Sequence, residues 1–268
     1  MVRALLARGL VAGAVAGLCA ALFARLFAEP SIDAAIAFEA AKEAARGAGA
    51  APEVVPRALQ ATVGLVLATS VYGAAVGGVV ALVFAALWGR LLGGRPGHAA
   101  LVLAGVAFVV VFLAPFAKYP ANPPGVGDPE TIGRRTVLFL VMIWISIACA
   151  VAAVRAARLV RQRTHGRLTA AGGHLLGVLL YLLLVGLAAA VLPTIRETPR
   201  DFPAQTLWSF RLGAIGTQAA LWATFAVVFA EGVERVMAGR PLWLARSARR
   251  PVAASLGQAP GNQRSGGP

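Results

Sequence analysis

The sequence predicts an all-α polytopic membrane protein with about six transmembrane helices and both termini in the cytoplasm. Three observations lead to this fold class. The 268-residue chain is 59% apolar and only 13% charged, its mean hydropathy is +0.75, and its apolar residues are gathered into long runs. Because about a quarter of the residues in a soluble domain are charged, the surplus apolar surface requires a bilayer.

Six apolar runs are long enough to cross a membrane as helices. About 20 apolar residues span the ~30 Å hydrocarbon core, where the backbone must satisfy its own hydrogen bonds. The runs are roughly 4–28, 60–88, 99–117, 135–156, 171–193 and 211–233. They make up one transmembrane domain over 1–236. The segment 237–268, rich in Gly, Pro and Arg, is expected to be a disordered basic cytoplasmic tail.

The distribution of charge predicts the orientation. Fifteen Lys and Arg residues but only two acids fall on the side of the N-terminus, 89–98, 155–170 and the tail, whereas the opposite side carries ten Lys and Arg and nine acids. Because Lys and Arg concentrate in cytoplasmic loops, we expect a multi-pass protein of the cytoplasmic (inner) cell membrane. The net charge of +14 is then a topology signal, and no nucleic-acid partner is expected.

Three spans carry small residues at every fourth position. The first has Gly9, Gly13 and Gly17, the second Thr69, Gly73 and Gly77, and the fifth Gly173 and Gly177. Small residues at this spacing allow helix backbones to approach closely in a membrane. The stripes predict helix packing and need no other role.

The stretch 31–46 predicts a short amphipathic helix on the outer surface. Ser31 is a candidate N-cap, and Glu39 and Glu43 share a face, with a basic residue three positions after each. Its carboxylates could collect cations or simply form a solvated charged face.

Two outer segments, 114–135 and 192–211, resemble each other and indicate repeated helical hairpins, a common feature of transporters. Each leaves an apolar span through a proline and passes Asp, Pro and Thr before an Arg. Stiff, proline-rich loops position side chains well. Five residues are the predicted outer mouth: Lys118, Tyr119, Asn122, Arg134 and Arg211.

No catalytic or cofactor-binding motif is present, which disfavours an enzyme. Charged residues at mid-depth are nearly absent, so intramembrane polarity comes from uncharged groups. The second span offers Gln60, Thr62, Thr69, Ser70 and Tyr72, and the sixth offers Thr217, Gln218 and Thr224. We expect Gln60, Thr69 and Gln218 to line a path between these spans, although interhelical hydrogen bonding would explain the same residues.

Three blocks of the sequence carry a family resemblance. They are EPSIDAAIAFEAA (29–41), FLAPFAKYPANPPGVGDPETIGRRT (112–136) and LPTIRETPRDFPAQTLWSFRLGAIGTQAALW (192–222). Together with the order of the spans they resemble the CbtA-type predicted cobalt transporter subunits. The resemblance implies a cytoplasmic-membrane protein that imports cobalt for cobalamin synthesis with a small, single-span, histidine-bearing partner subunit.

The chain departs from this family in two respects. Many relatives have a histidine-rich first outer loop, but 40–58 contains no histidine. The family is often described with five spans rather than six.

Two functions follow as hypotheses. The first is a membrane subunit of a cobalt (divalent metal ion) uptake transporter, with Glu39, Asp128 and Glu130 capturing the ion and its true ligands undetermined. The second is a non-transporting scaffold that assembles a small partner subunit through its glycine-rich faces.

Overall fold

The protein is an all-helical bundle in which six helices are long and apolar enough to cross a membrane. The computed structural model describes residues 1–47, 54–127, 131–164, 169–195, 198–199 and 201–240. Within these residues the long helices are α1 (Val2–Ala45), α2 (Arg57–Leu87), α3 (Pro96–Lys118), α4 (Ile132–Arg163), α5 (Ala170–Val191) and α6 (Ala204–Met237). The predicted fold class and number of spans are therefore confirmed.

The helix ends meet at two faces of the bundle. Arg8 of α1 donates to the carbonyl of Arg240, and Arg158 of α4 donates to that of Leu91. We call the end that holds these contacts the terminal face. The opposite end carries the second half of α1, Glu29–Ala45, which we call the α1 arm. This end is the arm face, and the predicted assignment of the terminal face to the cytoplasm stays a prediction.

The first helix does not restart at Ser31, contrary to the sequence prediction. It continues from Val2 to Ala45, and the hydroxyl of Ser31 donates back to the carbonyl of Ala28 at 2.7 Å instead of capping a new helix. Pro30 is accommodated because the turn before it, Ala24–Ala28, widens into a π-helix. A proline crowds the carbonyl four residues earlier and donates no hydrogen bond, and a π-turn takes up that mismatch.

A π-helical turn also precedes a proline in α3. A π-helical segment, Phe108–Leu113, directly precedes the turn that contains Pro115. A third π-segment, Gln60–Gly64, lies in the first turns of α2. All three segments are in the half of the bundle nearer the arm face.

Helix α4 is longer than its predicted span of 135–156. It extends to Arg163, so the arginines from 155 to 163 lie on a helix and not in a loop. The reason is local: the stretch AVRAARLVRQR consists mostly of strong helix formers. The predicted tail lies outside the described residues from 241 onward.

Two layers of packing organise the bundle. The main core contains side chains of α1, α2, α3 and α6, including Leu5, Phe84, Phe225 and Phe229, each no more than 1% exposed. A second cluster joins α4 and α5 to α3 around Val110, Ala153 and Tyr181. The α4–α5 hairpin is thus attached to the side of a tighter four-helix core.

Candidate transport site

Helices α2 and α6 both pack against α1, run in the same direction, from the arm face to the terminal face, and touch each other through side chains. A Cβ built on Gly77 would lie 2.9 Å from a ring carbon of Phe225. Two turns further along α2 and one turn further along α6, the rings of Phe84 and Phe229 meet edge to face at 5.8 Å. These contacts define a seam between the two helices.

Two polar residues lie on these sides of α2 and α6, nearer the arm face than the contacts just described. Ser70 precedes Gly77 by seven residues, and Gln218 precedes Phe225 by seven. Since seven residues make almost two full turns, about 10 Å of rise, Ser70 and Gln218 lie on the faces that carry the contact below them. Both are near the middle of their helices. Among the described residues, neither Ser70 Oγ nor Gln218 Oε1, although buried, has a hydrogen-bond partner.

Trp222 is a third buried polar side chain of this region, on the side of α6 that meets Phe108 of α3. It follows Gln218 by one turn of α6, and its side chain is only 4% exposed. Its ring packs between those of Phe108 and Phe225, and its buried Nε1 also lacks a partner in the described part of the chain. We call Ser70, Gln218 and Trp222 the seam cluster.

The other two predicted path residues are placed differently. The Thr69 hydroxyl donates to the carbonyl of Leu65 at 2.8 Å, and its backbone carbonyl faces Gly17 of α1. Gln60 is exposed at the arm-face end of α2, where its amide donates to the carbonyl of Val55. Gln60 is ten residues, about 15 Å, from Ser70, so the structure does not bring it to the seam cluster.

Four of the five predicted mouth residues surround one cavity at the arm face. This loop cavity, of about 520 Å³, lies between the segments 117–122 and 194–195 and is lined by Lys118, Tyr119, Asn122 and Arg211. The Tyr119 hydroxyl donates to the carbonyl of Pro193 at 2.8 Å. Burial raises the pKa of Tyr119, and the positive charge of Arg134 opposes that rise. Arg134 itself is exposed and does not line the cavity.

A second cavity, the arm cavity of about 440 Å³, holds the described member of the predicted capture set. Glu39 lines it, together with three cations: Lys42, Arg46 and Arg135. Its carboxylate packs against Gly125, whose φ of +74° is a backbone conformation natural to glycine. A side chain at 125 would overlap that carboxylate. Asp128 and Glu130 lie outside the described residues.

Other acids of the arm face are held by cations. The buried carboxylate of Glu29 pairs with Arg57 at the start of α2, and Arg57 also meets Asp33 at 3.1 Å. Lys42 pairs with Asp201 at 2.7 Å, and this hydrogen bond holds the pKa of Asp201 below its usual value. These pairs fasten the α1 arm to α2 and to the segment before α6.

The described residues contain no group of three or more His, Cys, Asp or Glu side chains arranged to hold a metal ion. The described oxygen groups at the seam are uncharged. Any cation that crosses there would meet hydroxyl and amide oxygens, which are hard and weakly binding ligands.

The residues predicted to line the path did not include Ser70, although it was among the polar residues named in the second span. Trp222 and Thr194 were not among the predicted site residues. Trp222 could have been found from its position one helical turn after Gln218. Thr194, which accepts a hydrogen bond from Lys118 at 3.1 Å, lies in one of the two segments that resemble each other. Those two segments pack together in the structure.

The fold and these sites define a polytopic membrane protein with unpartnered polar atoms buried inside the bundle and a cavity lined by cations at one end. Comparison with known families is more specific. The chain matches the family described as Probable cobalt transporter subunit (CbtA) over residues 2–234, and it belongs to that family. No curated protein and no solved structure matches the chain.

Proposed function

We propose that this protein is the membrane subunit of an uptake transporter for a divalent metal ion, cobalt in the first instance, in the cytoplasmic membrane. The observation that carries the proposal is membership of the cobalt transporter subunit family over nearly all of the helical bundle. The word subunit also implies a partner. By the sequence resemblance that partner is a small single-span protein with histidines near one end.

The proposed path follows the seam between α2 and α6. Gln218 and Ser70 offer buried oxygens with no partner in the described chain, and a permeating ion or its hydration water would satisfy them. Transport requires sites that bind well enough to accept an ion and weakly enough to release it. Neutral oxygens at mid-depth meet that requirement better than a carboxylate cage would. Thr69 borders the seam, and Gln60 lies toward its entrance.

We keep Glu39, Asp128 and Glu130 as the proposed capture residues, with a specific requirement. Glu39 is the one described carboxylate that lines the arm cavity, and a single carboxylate is too few to hold a divalent ion, so we propose that Asp128 and Glu130 add their negative charge. Asp128 follows Gly127 directly in the sequence, and Glu130 comes two residues later. Capture therefore depends on the three carboxylates acting together, and Ala substitution of Asp128 and Glu130 should abolish it.

The test of the function is uptake of radiolabelled Co²⁺ and Ni²⁺ into proteoliposomes that contain only this chain, with empty liposomes as control. Saturable uptake above the control supports a self-sufficient transporter. If the chain alone gives none, the assay is repeated with the histidine-bearing partner. Uptake that appears only then supports a transporter subunit, and no uptake in either case contradicts the proposal.

A non-transporting scaffold is the second candidate, and one observation favours it. Among the residues of helix α5 only Gly173 and Tyr181 are buried, and the side that carries Leu175, Leu179 and Leu183 is exposed and open to a partner helix or to lipid. The glycine stripes of α1 and α2, however, are already used inside the chain. A scaffold would bind the partner through α5 and leave metal uptake unchanged when the seam cluster is altered.

A further inference from the structure

The loop cavity collects positive charge at the boundary of the bundle. Lys118 is the last residue of α3, Arg211 lies in the second turn of α6, and Arg135 lies in the first turn of α4. All three line the cavity, and none of its described lining residues is an Asp or Glu. The cavity has room for a small polyatomic ion.

Two of these cations are bonded only to neutral acceptors in the described part of the chain. Lys118 Nζ donates to the Thr194 hydroxyl. Arg211 Nε donates to the carbonyl of Ala121 at 3.4 Å, and its Nη2 donates to Asn122 Oδ1 at 3.2 Å. Neither cation forms a described ion pair, and the Arg211 bonds are at the long end of the normal range.

Three other cations of the same chain have carboxylate partners in the described structure. Lys42 pairs with Asp201, Arg57 with Glu29, and Arg235 with Glu231. Half-buried cations that share a cavity repel one another, and the repulsion is stronger where water is partly excluded. An anion placed among them would remove that repulsion and gain charge-assisted hydrogen bonds.

We propose that the loop cavity is a binding site for an oxyanion, either a phosphate or a carboxylate group. Arg211 supplies a planar fork of donors and Lys118 a mobile point charge, a combination suited to oxygen ligands. The Thr198 residue also lines the cavity. This proposal is independent of metal transport, because it concerns the charge of the cavity and not the nature of the solute that crosses the seam.

The oxyanion has two sources here: a dissolved anion, or the phosphate of an anionic lipid at the membrane boundary. The experiment separates them. Full-length chain in an uncharged detergent at low salt is titrated with inorganic phosphate and with citrate by calorimetry. In a second arm, nanodiscs of phosphatidylcholine with or without phosphatidylglycerol are analysed by native mass spectrometry for retained lipid.

Four variants accompany the wild type: Lys118→Gln, Arg211→Gln, Arg211→Lys and the control Arg90→Gln. Arg90 lies beyond the end of α2 at the terminal face and donates only to the carbonyl of Ala86 in the described structure. Loss of one charge-assisted bond should weaken binding about tenfold in Lys118→Gln and Arg211→Gln. Arg211→Lys should lose less, and Arg90→Gln should match the wild type.

Each outcome decides the proposal. Saturable binding of phosphate or citrate that falls in both Gln variants supports a site for dissolved anions. Retention of phosphatidylglycerol that falls in the same variants, without binding of dissolved anions, supports a lipid site. Absence of both, or binding that Lys118→Gln and Arg90→Gln alter equally, overturns the proposal. If Arg211→Gln fails to fold, the test uses Lys118→Gln. This variant is expected to fold because the one described side-chain hydrogen bond of Lys118 is to an exposed threonine.

Discussion

The α1–α2 interface and the α4–α5 hairpin carry the same kind of sequence stripe but are packed differently. In both, glycines recur at every fourth position. In the first, backbone lies directly against backbone. In the second, the helices are held apart by side chains.

The stripes of α1 and α2 run antiparallel and match one another residue for residue. Gly9 faces Gly77, Gly13 faces Gly73, and Gly17 faces Thr69. A Cβ on Gly13 would overlap the carbonyl of Gly73 and lie 3.0 Å from the Cα of Ala74. No side chain fits between these backbones.

The glycines of α5 have no such partner stripe. A Cβ on Gly177 would lie 3.6 Å from the Cβ of Ala157, and one on Gly173 would lie 3.4 Å from the side chain of Arg161. These are ordinary contact distances or nearly so. The described interhelical side-chain hydrogen bond of the hairpin joins Ser146 Oγ and Tyr181 OH at 2.8 Å.

The difference shows that a glycine stripe fixes a close helix pair only when a second small-residue stripe faces it. It also limits the scaffold hypothesis. The face around Gly13 is occupied by the chain's own second span, so a bulky residue there would disrupt the fold before it disrupted a partner.

The largest expected effect is therefore at Gly13. Gly13→Ala should lower the free energy of unfolding by about 3 kcal/mol or more, since the new methyl group forces two backbones apart. Gly177→Ala is the matched control and should leave stability unchanged or slightly raised, because alanine favours a helix. Thermal unfolding in detergent, followed by tryptophan fluorescence, measures both. Equal losses would contradict the distinction between the two stripes.

The next effect concerns the link between the α1 arm and α2. Arg57→Gln leaves the carboxylate of Glu29, 4% exposed, without this cation, and should cost about 2 kcal/mol. The value is below that of a fully buried pair because the Arg57 side chain is 29% exposed. Removing both charges in Glu29→Gln/Arg57→Gln should cost less than Arg57→Gln alone. A double variant worse than the sum of the single variants would exclude the pairing.

A smaller effect is expected in the hairpin. Ser146→Ala removes the hydroxyl that meets Tyr181 and should cost about 0.6–1 kcal/mol, the usual worth of a hydrogen bond between transmembrane helices. Tyr181→Phe should cost a similar amount, and the double variant little more than either. Strictly additive losses in this cycle would show that the two hydroxyls do not stabilise each other.

The smallest effect depends on pH and is at the exposed pair of Lys42 and Asp201. The folded pKa of Asp201 is lowered by Lys42, so the pair stabilises the fold above the ordinary aspartate pKa of about 3.9. That contribution is lost as the pH falls from this value through the folded pKa. The difference in melting temperature between wild type and Asp201→Asn should be constant from pH 7 to 5 and shrink below about pH 4. A difference that grows as the pH falls below 4 would contradict the assignment.

The sequence predicts the number and type of helices well because crossing a bilayer leaves no other backbone solution. It does not predict the continuity of α1, since the EPS sequence at 29–31 looks like a helix start. The π-turn that accommodates Pro30 depends on packing against α6, where Gly213 meets Ala28. Such tertiary packing is invisible to local pattern.

The candidate sites could be predicted only in part, because they too depend on tertiary packing. The clustering of Lys118, Tyr119, Asn122 and Arg211 follows from two similar loops that meet. The position of Gln218 in the seam could be guessed from polarity, whereas Gln60 has the same chemistry but sits at a helix end. Trp222 reads as an apolar residue in the sequence, and only its burial reveals a donor without a described partner.

The most direct test of the proposed path compares Co²⁺ uptake by wild type, Gln218→Leu and Thr217→Val in proteoliposomes, with the partner subunit present if it is required. The Thr217 hydroxyl already donates to the carbonyl of Gly213 at 2.8 Å, so it is the matched control. Gln218→Leu removes a buried amide oxygen that has no described partner and should preserve or raise the melting temperature while lowering uptake about tenfold or more. Thr217→Val should transport normally. Unchanged uptake by a well-folded Gln218→Leu would contradict a path along the α2–α6 seam.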